Sequence, residues 1–383
     1  MNKQKNAVVV IPTYNEAETI GKMIDHLFSV TFPESPTWNC KVLIVDAKSP
    51  DGTSEIVKEK QKKYSNLDLY VEEKKEGIGA AYVKGFRRAM EKLDADVVIE
   101  FDGDFQHPPE AIPVMLSEID KGYDYILGSR KIKGGSNPKG WGFKRVFFSE
   151  VGGLAARFIL FFPTKKFFSI TDPTTGLKAS RVDGFVNKMK MDNLYSRSFG
   201  YKLEFLYQMV NLGAKVKEIP LKFQLREAGE SKIASGTPKD ILRTTILLRL
   251  NDPKTQSFIK FGVVGFVGYL VNALGLELFY YLGLSAGIAA ALGAELSIIS
   301  NFTWNNLWTF SSKKISGVAN IVKKFLAFNL TSAGAVIIQF IVVGLGTRFF
   351  GDQWRQILLI IAIGFFIIPY NWLMYNKFIW KKK

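Results

Sequence analysis

Four stretches near Ser257–Leu282, Ser285–Phe310, Phe325–Phe350 and Ile357–Ile379 are each apolar over the roughly 20 residues that a helix needs to cross a bilayer. They predict an all-α, four-helix transmembrane domain and leave everything before Ser257 to fold in water. The N-terminal segment Met1–Asn6 runs into Ala7–Ile11 and Pro12, which reads as a strand and not as the apolar core of a signal peptide. Lys313, Lys314, Lys323 and Lys324 fall between the second and third stretches, and Lys381–Lys383 follow the fourth. Positive charge stays on the cytoplasmic side, so the expectation is an integral, multi-pass protein with both ends and the N-terminal domain on the cytoplasmic face.

Charge supports a lipid partner. The 383 residues carry a formal net charge of +16, with 47% apolar and 14% aromatic content. A balance this basic suits nucleic acid, but no zinc-finger, homeodomain or RNA-recognition pattern accompanies it, and no nucleic-acid partner is expected. Lys165, Lys166, Arg243, Arg249, Lys254 and Lys260 instead flank apolar segments, where anionic membrane lipids would meet them. The single cysteine, Cys40, excludes an intramolecular disulfide and fits a reducing compartment. Within the apolar stretches, Glu277 and Glu295 are costly in hydrocarbon and read either as functional groups or as inter-helix packing, while Asn301, Asn305 and Asn371 read as packing.

Between Ala7 and Gly128 short apolar runs alternate with helical patterns. Strands are expected at Ala7–Ile11, Lys41–Val45, Leu67–Val71, Val97–Phe101 and Tyr123–Leu127, with helices at Glu16–Ser29, Asp51–Lys63, Gly79–Leu93 and Glu110–Asp120. That alternation predicts a Rossmann-like, mostly parallel α/β sheet. Neither a G-x-G-x-x-G after the first strand nor a G-x-x-x-x-G-K-[ST] is present, so the common dinucleotide and triphosphate cradles are excluded.

Chemistry-bearing residues gather where strands end, which is where open α/β sheets bind ligands. After the first strand comes Pro12-Thr-Tyr-Asn-Glu16, and after the second Asp46-Ala-Lys-Ser-Pro-Asp51. After the fourth comes Asp102-Gly-Asp104-Phe-Gln106-His-Pro-Pro. Asp102, Asp104 and Gln106 offer hard oxygen ligands at alternate positions, suited to Mg²⁺ or Mn²⁺ with substrate phosphates completing the shell. Glu16 and Asp46 can accept hydrogen bonds from a base or ribose, while Asp51 also reads as a helix start. Farther on, Phe147, Val151, Leu154, Phe158 and Phe161 form a helical stripe near 145–163, with Arg145 and Ser149 four apart on another face. Such a helix suits a membrane surface, its polar side facing a lipid phosphate. A second interfacial helix starts at the capping-box-like Thr237-Pro238-Lys-Asp240. These readings divide the chain into a catalytic domain at 1–236, a helix and linker at 237–252, and a membrane domain at 253–383.

The soluble part resembles the dolichyl-phosphate mannose synthases of glycosyltransferase family 2. The resemblance rests on Pro12–Glu16, Ser49-Pro-Asp-Gly-Thr53, Gly77-Ile-Gly-Ala-Ala-Tyr82, Asp102–Pro109, Gly128-Ser-Arg130, Gly140-Trp-Gly-Phe-Lys-Arg145, Thr171-Asp172-Pro-Thr-Thr-Gly176 and Gly229-Glu-Ser-Lys232. The membrane part resembles GtrA-like domains through Asn301-Phe-Thr-Trp-Asn305-Asn-Leu-Trp308-Thr-Phe310. The resemblance implies a GT-A fold and metal-dependent, inverting transfer of mannose from GDP-mannose to dolichyl (polyprenyl) phosphate. It assigns nucleotide-sugar binding to Pro12, Tyr14, Glu16, Val45, Asp46, Asp51, Gly79, Asp102, Gly103 and Asp104. The acceptor phosphate falls to Arg130, Arg145, Ser149 and Lys232, the metal to Asp102, Asp104 and Gln106, and the catalytic role to Asp104, Arg130 and Arg145. Family members usually read Asp-Asp-Gly-Ser where this chain has Asp46-Ala47-Lys48-Ser49, and Glu150 stands at a common arginine. The alternatives are a UDP-sugar transferase acting on the same acceptor class or, from another class, a lipid-phosphate-sugar flippase or membrane scaffold.

Overall fold

A computed structural model describes residues 4–225 and 236–381. The chain separates into two compact units, Met1–Arg249 and Leu250–Lys383.

The first unit is built on seven strands: β1 (Lys5–Thr13), β2 (Trp38–Asp46), β3 (Leu67–Val71), β4 (Val97–Glu100), β5 (Tyr125–Ser129), β6 (Lys178–Arg181) and β7 (Val216–Pro220). They lie in the order β3-β2-β1-β4-β6-β5-β7. All neighbouring pairs are parallel except those of β6, which runs antiparallel to both β4 and β5. Side chains alternate across the sheet, as strand geometry requires. Val8, Val10, Leu43, Val45 and Val98 enter one core, and Ala7, Val9, Val42, Ile44, Val97 and Ile99 enter the other. Both faces are therefore buried, and the strands read as near-continuous apolar runs. Helices α1 (Ala17–His26), α2 (Thr53–Gln61), α3 (Ile78–Lys92) and α4 (Ala111–Asp120) stand where the periodicity places them.

Beyond β5 come α5 (Phe143–Phe161), the short α6 (Lys166–Ser169), α7 (Tyr201–Asn211) and α8 (Thr237–Leu250). α5 is apolar on two sides. Ala156, Leu160 and Phe161 enter the core while Phe147, Val151, Leu154 and Phe158 of the expected stripe are exposed. The capping box expected at the start of α8 is not made: Thr237 Oγ1 has no hydrogen-bond partner among the described residues. Asp240 Oδ2 instead accepts from Ser196 Oγ at 2.7 Å and from the Gly200 N–H at 2.8 Å, so it caps the approach to α7 and pins α8 there.

In the second unit helical segments cover all four apolar stretches: α9 (Pro253–Tyr281), α10 (Ala286–Trp304), α11 (Val318–Phe350), and a last stretch made of α12 (Arg355–Ile361) and α13 (Ile368–Met374). Among the described helices α9 alone is both long and apolar enough to cross a membrane by length and composition, with mean hydropathy 1.7. The last stretch is divided by a wide helical turn at Ala362–Ile367 that precedes Pro369, a residue unable to supply the regular amide bond. Glu277 and Glu295 are exposed on this unit's surface. Asn301, Asn305 and Asn371 each bury an Oδ1 that has no hydrogen-bond partner among the described residues, while neighbouring Asn306 is paired: its Oδ1 accepts from Ile315 N–H at 2.7 Å and Trp380 Nε1 at 3.0 Å, and its Nδ2 donates to Ile315 O at 3.1 Å.

Candidate active site

The loops after β1 and β2 are sewn together by carboxylates. Asp46 is fully buried: Oδ1 accepts from Thr13 Oγ1 at 2.9 Å and Ser49 Oγ at 2.5 Å, and Oδ2 from Ser54 Oγ at 2.7 Å and the Ser49 N–H at 3.0 Å. Asp51 accepts from the Ala17 N–H at 3.0 Å and from Thr53 Oγ1 at 2.6 Å, tying the starts of α1 and α2. Burial raises its pKa, and these hydrogen bonds outweigh that and hold it below the usual carboxylate range. Lys48, at the family's glycine position, takes φ +54°, a left-handed conformation that glycine adopts without steric cost.

Pro12, Tyr14 and Glu16 line a cavity of about 850 Å³, and Asp102, Gly103, Asp104 and Gln106 line it with them. Asp104 is nearly buried, and its Oδ1 accepts the Gln106 N–H at 3.0 Å. The tight turn places Phe105 at φ +60°, a conformation that bulky residues rarely adopt. His107 holds the turn from beneath. Its Nδ1 accepts the Asp102 N–H at 3.3 Å, so the neutral ring carries its proton on Nε2. The ring packs between Phe101 and Phe223, and desolvation pushes its pKa down to about 4, against the pull of Asp102. No cluster of three or more His, Cys, Asp and Glu side chains suited to a metal occurs among the described residues. Two carboxylates and an amide at a cavity wall nonetheless fit a hard divalent cation that takes its remaining ligands from phosphate and water.

Arg130, Arg145 and Ser149 line the same cavity. Arg130 forms a buried fork with Asp172, Nε to Oδ2 and Nη2 to Oδ1 each at 2.7 Å, and its own N–H reaches Oδ2 at 3.1 Å. Burial opposes both charges, yet the paired hydrogen bonds win, keeping Asp172 below and Arg130 above their ordinary values. Glu218 steadies this loop by accepting from the Thr171 and Asp172 N–H groups at 2.6 and 3.0 Å. Arg145 differs: its guanidinium lies 4.1 Å from the Trp141 ring centroid. Ser149 Oγ, one helical turn on, has no hydrogen-bond partner among the described residues. Glu150 Oε1 accepts from Lys131 Nζ and from Asn137 Nδ2. Phe147, Phe148 and Val151 of α5 and Ile241 and Leu242 of α8 continue the cavity as an apolar wall.

The structure thus gathers most of the expected residues into one cavity. Val45, Asp46, Asp51 and Gly79 stand behind its lining: Val45 is in the core, and Gly79 donates its N–H to Arg197 O at 2.9 Å. Lys232 lies outside the described residues. Sequence reasoning assigned no role to Glu72, Lys75, Thr174, Thr175 or Lys202, all of which line the cavity. The Thr171–Gly176 motif was visible as a string of residues, but the turn that aims it depends on β6, which periodicity did not reveal.

Residues 8–182 match the family model for glycosyl transferase family 2, and residues 260–380 match that for the GtrA/DPMS transmembrane domain. The dolichol-phosphate mannosyltransferase of Pyrococcus furiosus is 33% identical over 334 residues, covering 87% of this chain and 88% of that one. The undecaprenyl-phosphate mannosyltransferase of Micrococcus luteus is 32% identical over 229 residues, covering 60% and 88%. The polyprenol monophosphomannose synthase of Mycolicibacterium smegmatis is 28% identical over 239 residues, covering 62% and 84%.

Proposed function

Because this chain belongs to glycosyl transferase family 2 and carries a GtrA/DPMS transmembrane domain, we propose that it is a polyprenyl-phosphate mannosyltransferase that moves mannose from GDP-mannose to dolichyl (polyprenyl) phosphate with inversion. The observation that carries the reading is the single cavity. Asp102, Asp104 and Gln106 share it with Arg130, Arg145, Ser149 and the apolar sides of α5 and α8. One wall suits a nucleoside diphosphate, the other a phosphate with a hydrocarbon tail.

The acceptor is itself an anion, since the second pKa of a phosphate monoester is about 6, so no strong general base is needed. What the protein must supply is placement of two anions and relief of charge on the departing diphosphate. Asp102, Asp104 and Gln106 would hold Mg²⁺ or Mn²⁺, which neutralises the leaving diphosphate when bound. Arg145, stacked on Trp141, and Ser149 one turn later hold the acceptor phosphate in line with the sugar. Arg130, locked by Asp172, donates from a fixed direction. Pro12, Tyr14 and Glu16 face the nucleoside, on loops that Asp46 and Asp51 keep rigid. The apolar faces of α5 and α8 receive the first isoprene units.

The test is transfer of labelled sugar to polyprenyl phosphate from a panel of GDP- and UDP-sugars, with and without chelator. GDP-mannose should be the productive donor, and Asp102→Asn and Asp104→Asn should each abolish transfer in folded, membrane-bound protein. Full activity in excess chelator sinks the metal assignment, and preference for a UDP-sugar sinks the donor.

A further inference from the structure

Lys202 lies in the first turn of α7 and lines the cavity, yet it is only 8% exposed. No carboxylate pairs with its ammonium among the described residues. The buried acid Glu100 is engaged elsewhere: its Oε2 accepts from Tyr201 Oη at 3.0 Å and lies 3.8 Å from Lys178 Nζ. Lys178, itself fully buried, donates to the Lys202 carbonyl at 2.9 Å and fixes the backbone from which the Lys202 side chain extends. At its far end the Lys202 ammonium is 5.3 Å from the Phe199 ring centroid. A Cβ on Gly176 would come within 2.8 Å of both Lys202 Nζ and His107 Cε1. The glycine therefore leaves room for the ammonium between the Thr174–Thr175 loop and the histidine that supports Asp102.

A cation withdrawn from water without a counter-ion is costly, and the positive end of α7 adds to the local potential instead of relieving it. An anion in the cavity would remove the imbalance. We propose that Lys202 contacts substrate directly, its ammonium binding a phosphate oxygen next to the Asp102–Gln106 turn, with Lys178 as its positioning residue. The proposal rests on the reading that the cavity takes a nucleoside diphosphate and a lipid phosphate. Proximity to His107 favours the donor diphosphate.

The experiment uses full-length protein in detergent or nanodiscs and compares wild type with Lys202→Met and Lys202→Arg. Calorimetry with GDP, UDP and guanosine reads the donor side, and initial rates against polyprenyl phosphate concentration read the acceptor side. Lys202→Met should weaken GDP binding at least tenfold and leave the acceptor KM unchanged, and Lys202→Arg should keep most of the affinity. Guanosine, which has no phosphate, should be indifferent to both substitutions wherever its binding is measurable. A tenfold rise in acceptor KM with GDP affinity intact keeps Lys202 as a phosphate ligand but moves it to the acceptor. Unchanged GDP affinity together with unchanged acceptor KM overturns the proposal, as does an equal loss for GDP and guanosine, which marks a structural role. Should Lys202→Met not fold, Lys202→Gln takes its place under the same criteria. Wild-type protein that binds UDP and not GDP, with binding weakened in the variant, refutes the donor assignment and keeps the lysine. Wild-type protein that binds no nucleoside diphosphate and shows no dependence on the acceptor overturns both.

Discussion

Arg130 and Arg145 carry the same assignment in the sequence but occupy different environments, and their replacements should behave differently. Arg130 is half of a buried ion pair, and removing one partner of such a pair typically costs about 3–5 kcal/mol. Arg130→Ala and Asp172→Ala should therefore both lower stability to denaturant strongly, and the double variant should lose much less than the sum. Arg145 is only partly buried at the cavity wall, so Arg145→Ala should lose much less stability to denaturant than Arg130→Ala. Its acceptor-dependent rate should fall by roughly ten- to a hundredfold, the loss of one charge-assisted contact. Equal destabilisation of the two single variants would show that Arg145 is also a scaffold. Lys48 offers the opposite sign. A left-handed conformation costs a side-chain-bearing residue about 1–2 kcal/mol, so Lys48→Gly should raise the denaturation midpoint, the gain reduced by glycine's greater freedom in the unfolded chain. Side-chain identity was enough to pick out Asp102, Asp104, Gln106 and both arginines, which the fold brings to one cavity. It could not show that all the hydrogen-bonding capacity of Asp46 is spent on hydroxyls and an amide, because that follows from which loops the sheet brings together.

At the scale of elements, legibility followed apolar pattern. β1 to β5 and α1 to α4 announce themselves by period, since each presents an apolar face or run. β6 is four residues, Lys178-Ala-Ser-Arg181, and its buried lysine and serine defeat any hydropathy reading. α7 is buried nearly all round, including Lys202 and Glu204, and so shows no stripe either. Glu204 gives this helix a pH dependence. Burial raises its carboxyl pKa to about 7, against a backbone hydrogen bond from Tyr195 at 2.8 Å. A folded-state pKa above the unfolded one contributes stability that is complete below about pH 4.5, and it is lost as pH rises through 7. Glu204→Gln, which mimics the protonated form, should match wild type near pH 4.5 and exceed it above pH 7. The gap should be about 2 kcal/mol after allowance for partial solvent access. A constant difference across that range in denaturant titrations would refute the assignment.

For the whole molecule we propose four membrane crossings with both termini on the cytoplasmic side. A cysteine introduced beside Lys314 should then react with a membrane-impermeant reagent only after the membrane is opened, and labelling in intact cells would reverse the orientation. The unit Met1–Arg249 folds around its own cores and contains every cavity-lining residue. Residues 1–249 alone should keep GDP affinity and bind anionic vesicles through the exposed Phe147, Leu154 and Phe158 of α5. A folded fragment without donor affinity would place part of the site beyond Leu250.

The reversed course of β6 has one last consequence. β4 leaves the sheet at Glu100 toward Asp102, and β6 enters it at Lys178 from Gly176, directly opposite. Two loops far apart in sequence, both lining the cavity, thus emerge at the same end of the sheet with their separation set by a four-residue ladder. A slip of one residue would displace one loop by about 3.3 Å and turn its side chains over, mismatching the two cavity walls in a single event. The ladder works as a gauge block between two jaws. Diversification of such an enzyme toward other sugars or lipids should proceed by exchanging side chains within the loops, with insertions confined to segments that do not alter this spacing.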